Sequence, residues 1–312
     1  MTSPMGAPRI GIYLDLRNPP AWRRPWAAHY ARSLEWIEEA ERRGAASVWL
    51  SEHHFFEDGY LPQPLTFAAA VAARTRHVRI GTAVLLAPLR PAVQIAEEAA
   101  VVDLVSGGRL ELGVGAGYRV PEFEAFGADV TRRFATVESR ILELQVLWAS
   151  GRVTPPVESP IPLWAGFFGP RGARLAGRLG IGLLTLQPGL TAAYTDGLVE
   201  GGHGPDAARL AGSMNLVLAD DPEATRARIA PHLAYQAESY RRYAAEGAGA
   251  RPPGQYPAVE VVTADDAVER VRRLVADRPV VDLFFWLSVA GMPDDVVDRH
   301  LDLVCALPRA LG

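Results

Sequence analysis

Residues 46–56 read ASVWLSEHHFF, which places two histidines directly after an apolar run. The run from 46 to 50 is typical of a strand that is buried on both faces of a sheet. In an α/β barrel, the loops at the carboxyl ends of the strands carry the reactive groups. Histidine changes its charge near neutral pH, and this suits it to proton transfer. The stretch therefore indicates a functional site, provided that the rest of the chain builds such a barrel.

The remainder of the chain alternates between strand-like and helix-like segments. We predict strands at 10–14, 48–50, 78–84, 110–114, 162–165, 182–186, 213–219 and 280–287. We predict helices at 30–43, 65–73, 92–105, 131–148, 171–179, 222–245 and 294–307. The Gly- and Pro-rich stretches 187–212 and 247–262 are expected to be excursions after the sixth and seventh strands. The pattern predicts an α/β fold, a (β/α)8 TIM barrel that forms a single domain over residues 1–312.

An open doubly wound sheet is the alternative fold that this alternation allows. Such a sheet would need a glycine fingerprint directly after the first strand. Residues 15–20 read DLRNPP and contain no glycine. The closed barrel is therefore the preferred prediction.

Composition limits the classes of function. A net charge of −4 argues against partners such as nucleic acid or an anionic membrane surface. The longest apolar run, near 280–290, is too short to cross a bilayer, and no targeting segment is recognisable, so we expect a cytoplasmic protein. The single cysteine, Cys305, excludes an internal disulfide and a cysteine-rich metal site. The sequence contains no lysine, which excludes a lysine Schiff base and a P-loop lysine.

Three readings are open for the two histidines. Because the side chains of His53 and His54 alternate along an extended chain, only one of them can face the barrel mouth. A metal site is disfavoured, since the sequence contains no HxH or HExxH motif that would supply further ligands. The other two readings are a structural histidine bonded to a loop carbonyl and a proton-transferring group beside a ligand.

Two glycine-rich segments follow predicted strands. Residues 113–118 read GVGAGY, and spaced glycines let the backbone approach a flat ligand closely. Residues 166–172 read GFFGPRG and open a predicted helix, whose free N–H groups suit a phosphate. Ordinary tight turns between a strand and the next element are the alternative for both segments.

These pieces, in this order, resemble the bacterial luciferase-like family of flavin-dependent barrel oxidoreductases. The resemblance is most specific over residues 48–127, VWLSEHHFFEDGYLPQPLTFAAAVAARTRHVRIGTAVLLAPLRPAVQIAEEAAVVDLVSGGRLELGVGAGYRVPEFEAFG. It continues more weakly through PLWAGFFGPRGARLAGRLG at 162–180 and FFWLSVAGMPDDVV at 284–297.

The resemblance implies a set of site residues. His53 matches the family's catalytic histidine, and His53 rather than His54 is expected to face the mouth. The strand behind the flavin ring often carries a non-prolyl cis peptide, which would fall at Ala83–Val84. The residues expected to bind the cofactor are Thr82, Ala83, Gly115, Ala116, Gly117, Tyr118, Gly166, Gly169, Pro170, Arg171 and Gly172.

The chain departs from the family's pattern at four places. Ala116 stands where the luciferases themselves carry a phosphate-binding arginine, and Gly166 and Phe167 stand where they carry a Glu-Ser pair. Many family members also have Gly-Asp-Gly where this chain reads Gly-Ile-Gly at 180–182. The segment 149–161 is shorter than the insertion that usually helps to cover the site. The phosphate contacts are therefore expected to come from backbone N–H groups and Arg171.

The resemblance implies a flavin-dependent enzyme, most simply a monooxygenase that uses reduced FMN and O2 on a small organic substrate. A loosely held FMN would suit supply by a separate flavin reductase. The alternatives are a deazaflavin-dependent hydride-transfer enzyme and a non-catalytic barrel with weakened flavin binding. Family members commonly dimerise, so we expect a homodimer. The stretches 187–212 and 248–262 would set specificity. A group of aromatic residues could line a pocket or belong to the core: Tyr13, Phe55, Trp164, Phe167, Phe168 and Trp286.

Overall fold

A computed structural model describes residues 7–248 and 258–311. The strands in these ranges are β1 (Arg9–Leu14), β2 (Ser47–Leu50), β3 (Arg79–Thr82), β4 (Leu85–Leu86), β5 (Leu110–Gly115), β6 (Leu163–Ala165), β7 (Gly182–Leu184), β8 (Leu210–Met214), β9 (Leu216–Leu218), β10 (Glu260–Val262) and β11 (Val280–Trp286). The helices are α1 (Trp26–Arg42), α2 (Pro64–Arg74), α3 (Ala92–Ser106), α4 (Val120–Ala125), α5 (Arg133–Ala149), α6 (Pro170–Arg178), α7 (Thr191–Glu200), α8 (Pro222–Ala244), α9 (Ala264–Val275) and α10 (Asp294–Leu311).

The strands close into a parallel barrel. Starting from β3, the order is β3, β2, β1, β11, β8, β7, β6, β5, and β3 also pairs with β5. The short strand β4 continues the line of β3 and pairs with the far end of β5. Eight parallel strands therefore form a closed TIM barrel with helices outside it, and the predicted fold class is confirmed.

Large rings and glycines fill the barrel interior together. The ring of Trp49 stacks on Phe284 at a centroid distance of 5.1 Å and meets Trp164 edge-on at 5.9 Å. A Cβ atom at Gly81 would lie 2.3 Å from the Trp49 ring, and one at Gly182 would lie 2.2 Å from the Trp164 ring. The glycines therefore make room for the indoles. Trp164 therefore belongs to the barrel core, which is the second of the two roles predicted for it, and not to a substrate pocket.

The seventh barrel strand begins earlier than predicted. The predicted segment 213–219 divides into the end of β8, which stays in the barrel, and β9, which leaves the barrel and pairs with β10. Both pieces are extended and only Asn215 separates them, so periodicity alone does not divide them.

The predicted excursion at 187–212 contains α7, a regular helix after β7. Its glycines support helix packing: a Cβ atom at Gly177 would lie 2.2 Å from the carbonyl oxygen of Tyr194, and one at Gly197 would lie 2.1 Å from that of Arg174. The glycines therefore let α6 and α7 pack backbone against backbone. The prediction included Gly177 in a helix, but it placed Gly197 in a Gly- and Pro-rich excursion.

The second predicted excursion, 247–262, lies partly outside the described residues. Its described end forms β10, and α9 follows at once. Thr263 and Asp266 form a capping box at the start of α9, a signal that the sequence contained and the prediction overlooked.

His300 on α10 ties the closing helix to two strands. Its Nδ1 accepts from the backbone amide of Leu218 at 2.8 Å, and its Nε2 donates to the carbonyl oxygen of Trp286 at 2.9 Å. Burial lowers the pKa of His300 to about 4, against the hydrogen bond to the carbonyl oxygen of Trp286, which raises it. The imidazole is therefore neutral at physiological pH. None of the helices in the described ranges is long and apolar enough to cross a membrane.

Candidate active site at the barrel mouth

His53 lies in the loop after β2, at the carboxyl end of the barrel. Its ring is largely buried, and its Nδ1 lies 2.9 Å from Oε1 of Glu122. The ring stacks on Phe56 at a centroid distance of 4.8 Å and meets the rings of Tyr60 and Tyr118 edge-on at 4.8 and 5.5 Å. The imidazole is thus held by one carboxylate inside an aromatic wall.

The carboxylate of Glu122 is fully buried in the first turn of α4. Its Oε1 also accepts from the backbone amide of His54 at 2.8 Å, and Nη1 of Arg119 lies 3.5 Å away. Burial raises the pKa of Glu122, but the hydrogen bonds from His53 and His54 and the charge of Arg119 outweigh burial, so this pKa lies below its ordinary value. Glu122 is therefore ionised at neutral pH.

Sequence reasoning did not identify Glu122. It lies in VPEFEAF at 120–126, two positions before the exposed Glu124, and nothing local distinguishes the two residues. The relevant partner is 69 positions away along the chain. Only the tertiary fold brings this carboxylate to His53.

His54 has different surroundings. Its Nε2 lies 2.8 Å from Oε1 of Glu52, an oxygen that also accepts from Arg90 at 2.7 Å. The other oxygen of Glu52 accepts from the backbone amide of Leu86 in β4 at 2.7 Å. Burial raises the pKa of Glu52, and the hydrogen bond from His54 and the charge of Arg90 lower it further than burial raises it. This network ties the loop after β2 to β4, so His54 and Glu52 support the site's framework.

Three tyrosine hydroxyls form a chain beside His53. The hydroxyl of Tyr60 lies 3.2 Å from that of Tyr13 and 3.3 Å from that of Tyr240. The ring of Tyr13 meets Trp286 edge-on at 4.6 Å, so these two residues of the predicted aromatic group lie together at the mouth. Burial raises the pKa of Tyr60 well above its ordinary value, so its hydroxyl stays protonated. This row of tyrosines therefore presents neutral hydroxyl groups beside His53.

The buried side chain of Arg17 supports the aromatic residues around His53. Nε of Arg17 pairs with Asp58 at 2.6 Å, and its Nη1 donates to Gln236 at 3.0 Å. Its Nη2 donates to Ser239, and the guanidinium lies 5.3 Å from the ring centroid of Tyr240. Arg17 thereby joins the loop after β1 to the loop after β2 and to α8.

The predicted cofactor-binding segments meet at the side chain of Val84. A Cβ atom at Gly115 would lie 2.4 Å from Val84 Cγ2, and one at Gly166 would lie 2.5 Å from Val84 Cγ1. The peptide bond Ala83–Val84 is cis, as predicted. Tyr118 connects this junction to His53 through their ring contact. The structure therefore brings His53 and the three predicted segments into one site, and cofactor binding by them remains a prediction.

Two of the predicted residues have specific structural settings. The hydroxyl of Thr82 is fully buried, donates to the carbonyl oxygen of Gly113 at 2.7 Å and accepts from its amide at 2.9 Å, so it joins β3 to β5 inside the barrel wall. Gly117 adopts a φ of +67°, which favours glycine, and Ala116 beside it is buried.

The turn before α6 is open to solvent. Gly169 is the N-cap of α6 without a side-chain cap, and Pro170 is the first helical residue. Arg171 is exposed, with no hydrogen-bond or ion-pair partner in the described part of the chain, whereas a Cβ atom at Gly172 would lie 2.6 Å from Cβ of Phe167. The first backbone N–H groups of α6 and the guanidinium are thus available to an anion.

The remaining aromatic residues of the predicted pocket divide by exposure. Phe55 and Phe168 are 63% and 54% exposed, and Phe167 is buried. Within the described ranges, no group of three or more His, Cys, Asp or Glu side chains is arranged to hold a metal ion.

A family model described as luciferase-like monooxygenase matches residues 9–307. Among similar proteins, an F420-dependent glucose-6-phosphate dehydrogenase of Amycolatopsis mediterranei is 35% identical over 188 residues, which are 53% of this chain and 56% of that protein. The chain thus spans about half the length of this relative.

Two further similarities extend the comparison. The oxygenase component of a flavin-dependent trigonelline monooxygenase of Acinetobacter baylyi is 32% identical over 121 residues, 38% of this chain and 34% of that protein. The crystal structure of monooxygenase RslO1 from Streptomyces bottropensis superposes with a TM-score of 0.80 at 24% identity, covering 97% of this chain and 99% of that one. At this identity, the superposition establishes the fold.

Proposed function

The chain belongs to the luciferase-like monooxygenase family, whose members are flavin- or F420-dependent oxidoreductases, and we propose that it is a monooxygenase that uses reduced FMN and O2 on a small organic substrate. The observation that carries the proposal is the buried pair of His53 and Glu122 at the barrel mouth. It combines a proton-transferring side chain with an aromatic wall that limits access by water.

The residues at the mouth fit a flavin in two respects. Ala83 and Val84 present a half-buried apolar surface where the predicted segments meet. The uncapped start of α6 and the exposed Arg171 offer donors for a phosphate. Reduced flavin, when bound, supplies the electrons that activate O2.

The protein's own contribution would be positioning, exclusion of water and proton transfer. His53 would take up or release a proton at a ring nitrogen. The rings of Phe56 and Tyr60 keep solvent from the imidazole. The neutral hydroxyls of Tyr13, Tyr60 and Tyr240 would orient a polar group of the substrate.

Hydride transfer with the deazaflavin F420 is the second candidate. The 35% identity to an F420-dependent glucose-6-phosphate dehydrogenase favours it, because that match exceeds the 32% identity to the flavin-dependent monooxygenase. Deazaflavin does not activate O2, so consumption of O2 separates the two candidates.

The test is anaerobic titration of the purified protein with FMN, reduced FMN and F420, followed by measurement of O2 uptake. Saturable binding of reduced FMN, with O2 uptake coupled to product formation, is expected. Binding of F420 alone, without O2 uptake, would instead establish the hydride-transfer reading. The variant His53→Ala should bind the cofactor and form no product, and full turnover by this variant would remove His53 from the chemistry.

We also propose that a separate reductase supplies the reduced FMN, because the phosphate donors at α6 are few and exposed. Product formation should then depend on added reductase with FMN and NADH. With photochemically reduced FMN as the source, the rate of product formation is measured at several reductase concentrations. A rate that does not change with reductase concentration would exclude direct transfer of FMN between the two proteins.

A homodimer is proposed through the outer faces of α3 and α5. These neighbouring helices carry exposed apolar side chains, which a partner would cover: Val93, Val101, Val105, Phe134, Leu142 and Val146. Light scattering should report a dimer for the wild type and a monomer for Val146→Asp. The matched control is Val199→Asp on α7, since Val199 is equally exposed at 65%. A monomeric wild type would refute the proposal.

A further inference from the structure

We propose that Glu122 is a positioning residue that fixes the proton of the neutral His53 ring on Nδ1, so that Nε2 is the nitrogen left to exchange a proton with a bound ligand. The inference rests on the proposed function only for the identity of that ligand. It deepens the role of His53, because it specifies which atom reacts.

The geometry of the carboxylate supports this assignment. The Nδ1 of His53 lies 2.9 Å from Oε1 of Glu122, a normal hydrogen-bond distance. An ionised carboxylate can only accept, so the imidazole must donate through Nδ1–H. The lowered pKa of Glu122 keeps the carboxylate ionised at neutral pH. The hydrogen bond at one ring nitrogen thereby determines the tautomer.

The surroundings make this hydrogen bond strong. The side chain of Glu122 is fully buried, and that of His53 is 11% exposed. The ring of Phe56 stacks on the imidazole, and the rings of Tyr60 and Tyr118 lie nearly perpendicular to it at centroid distances of 4.8 and 5.5 Å. Electrostatic interactions are stronger in such low-dielectric surroundings than in water. A proton on Nε2 instead would leave Nδ1 as an acceptor facing a buried carboxylate.

Oε1 of Glu122 also accepts the backbone amide of His54, which controls what a glutamine would do in its place. The Oε1 position faces Nδ1 of His53, the backbone amide of His54 and Nη1 of Arg119, so the amide oxygen of a glutamine would occupy it. The amide nitrogen would then take the position of Oε2, which is buried and has no hydrogen-bond partner within the described ranges. Glutamine should therefore preserve the tautomer while removing the negative charge.

The alternative is a purely structural role, in which Glu122 only satisfies the amide of His54. Both roles predict loss of stability in Glu122→Ala. They differ in the tautomer of His53, which a structural role leaves unchanged. The assay must therefore report the ring nitrogens directly.

The experiment is 15N NMR of histidine-labelled, cofactor-free protein at about pH 9, well above the ordinary pKa of histidine. The chain contains 7 histidines, and His53→Gln assigns the signals of interest. The wild type should show His53 protonated at Nδ1. Glu122→Gln should keep that tautomer, and Glu122→Ala should move the proton to Nε2. The control is Glu124→Gln, an exposed position on the same helix, which should change nothing.

Turnover provides the second readout. The turnover rate of Glu122→Ala should fall roughly tenfold to a hundredfold, which is the effect of removing a residue that orients a metal-binding histidine. Glu122→Gln should recover part of the rate. A wild-type His53 protonated at Nε2, or an unchanged tautomer in Glu122→Ala, would overturn the proposal. If Glu122→Ala does not fold, the wild-type tautomer still decides. Absence of flavin binding to the wild type would refute the proposed function, yet it would leave the tautomer result intact.

Discussion

Substituting alanine for Gly115 should disturb the barrel mouth through one neighbour, the side chain of Val84. The new Cβ atom would lie 2.4 Å from Val84 Cγ2, whereas nonbonded carbon atoms keep about 3.5–4.0 Å. The backbone of Gly166 also lies close to Val84, since a Cβ atom built at Gly166 would lie 2.5 Å from Val84 Cγ1, and this limits how far Val84 can turn away. We therefore expect Gly115→Ala to lower the free energy of unfolding by about 1–3 kcal/mol.

A double-mutant cycle isolates this contact. Val84→Ala removes two methyl groups from a half-buried position and should cost roughly 1 kcal/mol. In the double variant, the methyl group added at Gly115 occupies the space that Cγ2 vacates. The double variant should therefore be more stable than the sum of the single effects, by about 1–2 kcal/mol.

Urea unfolding of the four proteins measures the coupling. Gly189→Ala is the control, because its added Cβ atom would meet no neighbouring atom within 4 Å at this exposed position, and it should change stability by less than about 0.5 kcal/mol. Additivity of the Gly115 and Val84 effects within about 0.5 kcal/mol would refute the proposed contact, and with it the convergence of the three segments on Val84.

Arg17→Ala should lower the free energy of unfolding by about 3–5 kcal/mol, because it leaves the buried carboxylate of Asp58 without its guanidinium partner. The prediction is contradicted if Arg17→Ala shifts the urea midpoint no more than the exposed substitution Arg23→Ala does. His300 has a lowered pKa of about 4, so the unfolded chain binds a proton that the folded chain does not, and this histidine's contribution to stability falls as pH drops from about 6.5 towards 4. Unfolding at pH 7.5 and 5 should show about 2 kcal/mol of loss from this source, absent in His300→Gln; equal pH dependence in both proteins would disprove it. Arg171→Ala should weaken reduced-FMN binding about tenfold, while Arg178→Ala at the other end of α6 should not, and equal affinities for all three proteins would exclude Arg171 from the phosphate site.

The barrel itself was predictable from local patterns. Each strand is a short apolar run, and the helices between strands carry apolar stripes, so periodicity identified seven of the barrel strands within a few residues. The family resemblance added the cis bond at Ala83–Val84 and singled out His53. These features depend on residues adjacent in the chain, and the sequence records them directly.

The errors arose where glycine has two physical uses. Glycines in turns permit positive φ, and glycines in helices permit close packing. Gly197 serves the second use within α7, a helix that the prediction assigned to a Gly- and Pro-rich excursion. The end of β8 and the start of β9 are separated by one residue, and only their pairing partners distinguish a barrel strand from one that leaves the barrel.

The sequence by itself determined the barrel, the position of the mouth and a histidine placed at it. The tertiary structure alone decided that Glu122 holds His53, that Arg17 joins two loops to α8, and that Val84 lies where three loop segments meet. The reason is physical. A strand or helix forms from the preferences of neighbouring residues, whereas a buried carboxylate is stable only beside donors that the fold brings from distant parts of the chain.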